Sequence, residues 1–253
     1  MDNAKLGLLT TLLLGIFILI GALVAFIAKK KEKVSDFSIG LALGVMVMLV
    51  ILDLLPEIIE NLGLKYIYVF LLGTAFGYFI LKILDKFIPD HDHNENANLD
   101  KKELKSNLIH IGVVTSLALV LHNIVEGMAV YATVLTDTKI GLAVTLGIGF
   151  HNIPLGMVIA ATFYQSNENI WKTISIISAV SLSTFIGGLI MFFLNISTIN
   201  PILLGTLLSI TLGMVLFITL SELIPRIRES KDKKVCYIGI TIGVIILLIS
   251  SLI

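Results

Sequence analysis

The sequence predicts an all-α membrane protein, a bundle of eight transmembrane helices, on three observations. Apolar residues make up 57% of the 253 residues, the mean hydropathy is +1.00, and apolar runs of roughly 18 to 25 residues recur along the chain. A soluble domain of this size could not hide so much apolar surface, whereas a helix of about 20 such residues crosses about 30 Å of hydrocarbon. The lipid bilayer is therefore the expected partner, and the balance of 18 basic against 18 acidic residues gives no reason to expect nucleic acid.

The spans are read as Leu6–Ala28, Phe37–Glu60, Leu64–Phe87, Leu108–Val134, Ile140–Tyr164, Ile170–Leu194, Pro201–Pro225 and Val235–Leu252. The first is too long for a signal-peptide core and lacks a basic segment and cleavage site before it, so it is expected to stay as an anchor. The second ends LDLLPEI and the seventh SELIPRI, each with an acid, Asp53 or Glu222, three residues before a proline. Matching helices one to three with helices six to eight gives segments of opposite direction, so a 3+2+3 inverted-repeat arrangement is expected.

Between the third and fourth spans, residues 88–107 (PDHDHNENANLDKKELKSN from Pro89) form the one long polar connection, expected to be a flexible cytoplasmic loop in an otherwise single transmembrane domain, 1–253. With both termini outside the cytoplasm, fifteen Lys and Arg residues fall on the inner side and only Lys5, Lys65 and Lys139 on the outer. The positive-inside rule selects that orientation in a multi-pass cell-membrane protein. The lone Cys236 excludes an intrachain disulfide.

The fourth and fifth spans carry the chemistry. Nearly all acids lie in loops or near helix ends, but Glu126 sits well inside the fourth span, in HNIVEG, where an isolated charge costs several kcal/mol. His122 stands four residues before it, on the same helix face. The fifth span carries HNIPLG, and His151 lies as far after the Thr136–Asp137 turn as His122 lies before it, so antiparallel helices bring the two imidazoles to one depth. Two imidazoles and a carboxylate, with Asn123 and Asn152 as neutral oxygen donors, suit a borderline divalent ion and would balance Glu126. Pro154 cannot donate to the carbonyl of Phe150, so loosened backbone is expected there. The plainer reading is a set of structural polar contacts between helices. An intramembrane metalloprotease is disfavoured: its H-E-x-x-H general base is replaced by Asn123 and Asn152, and no enzyme activity is expected.

With its eight spans, a His-bearing loop after the third, HNIVEG, HNIPLG, DLLPE (Asp53–Glu57) and SELIP (Ser221–Pro225), the whole chain resembles the ZIP family of divalent-metal transporters. The resemblance implies uptake of zinc, or of iron, manganese or cadmium, toward the cytoplasm by a homodimer with one path per protomer, the metal being cargo rather than a resident cofactor. It also implies a pathway role for Asp53 on the outer side and Glu222 on the inner. His91 and His93, beside Asp90 and Asp92, are candidate chelators on the cytoplasmic side, against the plainer reading of a solvated polar loop. The chain departs from the family twice. Many relatives carry a Glu where this chain has Leu155, and those with a two-metal centre draw another from helix six, where Thr184 and Phe185 stand. A single carboxylate will not hold two dications about 4 Å apart, so one metal is expected. The same loss admits an alternative, a weakly transporting or non-transporting membrane metal-binding protein or sensor. His110, near the inner end of the fourth span, is read as an interfacial polar residue.

Overall fold

The computed structural model describes residues 3–27, 31–87, 101–166, 168–230 and 232–251. Among these there is no strand, and eight helices are long and apolar enough to cross a membrane. They are α1 (Asn3–Ile27), α2 (Lys33–Leu62), α3 (Ile67–Phe87), α4 (Lys101–Thr136), α5 (Thr138–Gln165), α6 (Ile170–Phe193), α7 (Pro201–Glu229) and α8 (Lys233–Ser250). Their starts are set locally. Asp137 accepts from the N–H groups of Lys139 and Ile140, Asn169 from that of Trp171 and Asn200 from that of Ile202, each satisfying donors that a helix N-terminus leaves open. Gly63, at φ +59°, makes the turn between α2 and α3.

The boundary expected after the polar connection moves. Residues 101–107 belong to α4, while 88–100, with His91 and His93, lie outside the described residues.

Two helices are interrupted, neither at the expected place. In α2 the backbone passes through a π-turn, Val50–Leu54, and in α7 through another, Ile218–Leu223. Leu55 N–H donates to Val50 O and Ile224 N–H to Thr219 O, five residues back in each case. Pro56 and Pro225 explain both: each lacks the N–H that would bond four residues back, and the freed turn widens. Pro154 has no such effect, and the α-helix Thr138–Gln165 runs through it. There α1 packs hard against the segment, so that a Cβ on Gly21 would strike Ile153 O and one on Gly156 would strike Ile18 O. That packing holds the helix in shape despite one lost hydrogen bond.

Close backbone approaches sort the bundle into two groups. One is α1, α4, α5 and α6; the other is α2, α3, α7 and α8. Within the first, Gly127 of α4 faces Thr184 O and Gly187 of α6 faces Ile124 O; within the second, Gly40 of α2 faces Cys236 O and Gly239 of α8 faces Phe37 O. In lipid, where apolar side chains gain little by leaving the solvent, such contact between small residues supplies much of the helix association. Between the groups lies an apolar core that includes Met46, Leu119, Leu155, Ile159 and Ile218.

Candidate metal centre

The antiparallel hairpin of α4 and α5 brings together the residues the sequence singled out. His151 Nε2 lies 3.1 Å from Glu126 Oε1, and His122 Nε2 lies 3.5 Å from the same oxygen. Metal bonds of about 2.0–2.2 Å at tetrahedral angles separate neighbouring donors by about 3.3–3.6 Å, so these spacings suit a shared cation. The ligand atoms of all three residues fall within 4.8 Å of one another, and all three residues are buried.

Asn152 adjoins the cluster, while Asn123, next to His122 in the chain, is tied to α6. Asn152 Nδ2 donates to Glu126 Oε2 at 3.4 Å, and Asn123 Nδ2 donates to Val180 O of α6 at 3.1 Å. With the nitrogens so held, Asn123 Oδ1 and Asn152 Oδ1 are buried without a hydrogen-bond partner among the described residues. A buried acceptor left so costs about 1–3 kcal/mol, and a cation is one partner that would satisfy it.

The cluster borders a cavity of about 590 Å³ that also reaches Asp53, Glu57 and Glu60 of α2. Thr133 and Ile140, beside the α4–α5 turn, and Ser251 after α8 line it too, so it extends toward the end of the bundle that carries the C-terminus. Four carboxylates and no Lys or Arg line it among the described residues, and a low-dielectric cleft of one sign concentrates cations. Asp53 thus shares a cavity with the triad, and Glu57, which sequence reasoning did not single out beyond its motif, belongs with it. The signal available was its spacing, four residues after Asp53 on one helix face.

Leu155 and Thr184 stand apart from this cavity. Leu155 is 1% exposed and lies in the apolar core, and Thr184, fully buried, donates to Ser181 O. On the other side of the core, Glu222 lines a space of only about 10 Å³ together with Gly112, Thr115 and Arg226. Glu222 is not near the triad. Its ligand atoms group instead with those of Asp85 and His110. His110, expected at an interface, is buried, with Nε2 2.6 Å from Asp85 Oδ1.

The family profile described as "ZIP Zinc transporter" matches residues 88–251. The chain is 30% identical to a protein named zinc transporter ZupT from Clostridium perfringens, covering 100% of this chain and 97% of that one. It is 32% identical to the protein of that name from Streptococcus mutans, over 96% of this chain and 95% of the relative, and 32% identical to that from Oceanobacillus iheyensis, over 100% and 99%.

Proposed function

The chain belongs to the ZIP zinc-transporter family, and from that premise we propose that it carries Zn²⁺, or Fe²⁺, Mn²⁺ or Cd²⁺, into the cytoplasm through a one-metal site formed by His122, Glu126 and His151. The observation that carries this reading is the meeting of two imidazoles and one buried carboxylate, from two helices, on the wall of an acidic cavity.

A cation entering the cavity is drawn past Asp53 and Glu57. It then replaces the proton shared between His151 and Glu126, taking both imidazole nitrogens and the carboxylate as ligands. Asn123 Oδ1 and Asn152 Oδ1 are the amide oxygens available to complete the shell. The occupied site carries a net charge of about +1, which favours release over tight retention. With Leu155 and Thr184 in place of carboxylates, α5 and α6 offer a second cation beside the triad no acid to neutralise it. The apolar layer of Leu119, Leu155 and Ile159 closes the path beneath the site, so delivery to Glu222 on the inner side requires the two helix groups to shift.

In this reading both termini lie outside the cytoplasm, which puts the acidic cavity on the outer face, and the chain works as a homodimer with one path per protomer. Residues 88–100 are the cytoplasmic connection of a single transport domain, with His91 and His93 as local chelators, and residues 101–107 continue α4. A 3+2+3 inverted repeat is supported by the π-turn and proline at Asp53–Pro56 and Glu222–Pro225, and by the contact of α3 with α7 mirroring that of α8 with α2.

The test is zinc influx into proteoliposomes. Wild type should accumulate metal and His122→Ala should not. An absence of influx for all of Zn²⁺, Fe²⁺, Mn²⁺ and Cd²⁺ would favour the alternative, a non-transporting metal-binding protein or sensor, for which the missing carboxylates are the motivating feature.

A further inference from the structure

We propose that the acidic cavity beside the triad is also a binding site for a small organic ammonium ion on a compact apolar body, and that this ion and the metal exclude one another. The site stands on the size and lining of the cavity and goes beyond the transport reading. Only its effect on influx rests on that reading.

The cavity is larger than a metal ion needs. An ion with about six waters fills about 180 Å³, at roughly 30 Å³ for each water, whereas the space here is about 590 Å³. Clefts of about 300–1,000 Å³ are the size that takes a small organic molecule. The lining is also segregated. Its acids outside the triad, Asp53, Glu57 and Glu60, all come from α2, at spacings of four and three that put them on one helix face. The α4 and α5 walls carry small and apolar residues instead. Ala129 and Thr133 follow His122 by seven and eleven residues, and Val144 and Ile140 precede His151 by seven and eleven. Two matching stripes therefore run about 16 Å from the triad toward the α4–α5 turn.

A hydrated dication uses the acidic wall and leaves the apolar stripes wet. A ligand with a cationic head and an apolar body satisfies both. His122 Nε2 points to the same class of ligand. It belongs to a side chain 6% exposed that lines this cavity, and it makes no hydrogen bond among the described residues. An ammonium group brings three donors, and this nitrogen with the Asp53 and Glu57 carboxylates are acceptors that the cavity holds for them.

Charge narrows the class further. Four carboxylates without a Lys or Arg among the described lining residues repel an organic anion, and a zwitterionic lipid headgroup brings its phosphate against the same acids. A neutral apolar molecule fits the stripes but leaves the acids desolvated and unpaired. Bound metal and bound ammonium are both positive within one low-dielectric cleft, so each weakens the other by the same factor.

The probe is tritiated 1-adamantylammonium, a ten-carbon cage with one charge, dialysed at pH 7 against the purified full chain without metal. It should bind saturably, one per chain. Unlabelled 1-adamantanol should compete at least tenfold less well than the unlabelled ammonium, and 1-adamantanecarboxylate not at all. Binding should weaken at least tenfold in Asp53→Asn/Glu57→Gln, which removes the charges, and in Ala129→Phe, which fills the apolar stripe while keeping zinc affinity within about threefold of wild type. No saturable binding, equal competition by the alcohol, or binding that survives both variants overturns the site. Saturating Zn²⁺ should raise the dissociation constant for the ammonium several-fold, and an unchanged constant overturns the exclusion. In proteoliposomes, external 1-adamantylammonium should raise the zinc concentration for half-maximal influx several-fold without lowering the maximal rate, and 1-adamantanol should not. A lowered maximal rate with an unchanged half-maximal concentration also overturns the exclusion. A wild-type chain that shows no influx refutes transport alone, and dialysis still decides whether the site exists.

Discussion

His151 Nε2 and Glu126 Oε1 lie 3.1 Å apart although 25 residues separate them along the chain. The contact exists because Asp137 caps α5 directly after α4 ends, turning the chain back on itself with the two His-Asn pairs at one depth. It places a buried carboxylate between two imidazoles, and the following expectations depend on it.

Glu126→Gln keeps the shape of the side chain and removes its charge. Zinc affinity should fall by about 100-fold or more, equivalent to about 2.7 kcal/mol, measured by equilibrium binding to purified protein. Unchanged affinity would mean that the metal sits elsewhere.

Leu155→Glu introduces a carboxylate one helical turn from His151, on the same face but in the apolar core. Without metal the variant should unfold at lower temperature, since an unpaired buried acid costs several kcal/mol. Zinc should restore the lost stability, and the binding stoichiometry should rise toward two per chain. A titration showing two tightly bound metals in the wild type would refute the one-metal site.

Asp53→Ala removes a carboxylate from the cavity wall without touching the triad. Influx at low external zinc should fall several-fold, with the affinity of the mid-membrane site within about threefold of wild type. Loss of binding itself would make Asp53 a ligand.

Gly127→Val places a branched side chain where α4 meets Thr184 O of α6. Helix separation there should cost about 1–3 kcal/mol and be seen as a lower unfolding temperature in detergent. Because Gly127 follows Glu126 directly, zinc binding should weaken as well. Normal stability would show that the two helices have room to part.

Ser251→Cys in a Cys236→Ala background puts the only thiol beside the cavity mouth, after the end of α8. A membrane-impermeant maleimide added to intact cells should label it. Labelling only after the membrane is opened would reverse the orientation drawn from the Lys and Arg distribution.

The spans were legible because a bilayer imposes its thickness on the sequence, so length and hydropathy are enough to find them. The triad was legible for a related reason. An acid such as Glu126 is costly in hydrocarbon, and the spacing of His122 and His151 about one turn fixes their relative depth. The backbone breaks were not. Pro154, Pro56 and Pro225 look alike in sequence, and what separates them is whether a neighbour holds the helix: α1 braces Pro154, while the turns before Pro56 and Pro225 widen.

His110 and Asp85 mark the same limit. Nothing local distinguishes His110 from a headgroup histidine, and its partner is 25 residues away across a connection whose length fixes no geometry.

The sequence by itself determined that this is an eight-span membrane protein with two imidazoles and a carboxylate at one depth, because hydropathy and helical period act on near neighbours. Only the tertiary structure decided which acids share a cavity with that site, where the helices widen, and that Asp85, His110 and Glu222 meet. Those outcomes depend on how distant helices pack, and packing against a particular neighbour leaves no periodic trace in the chain.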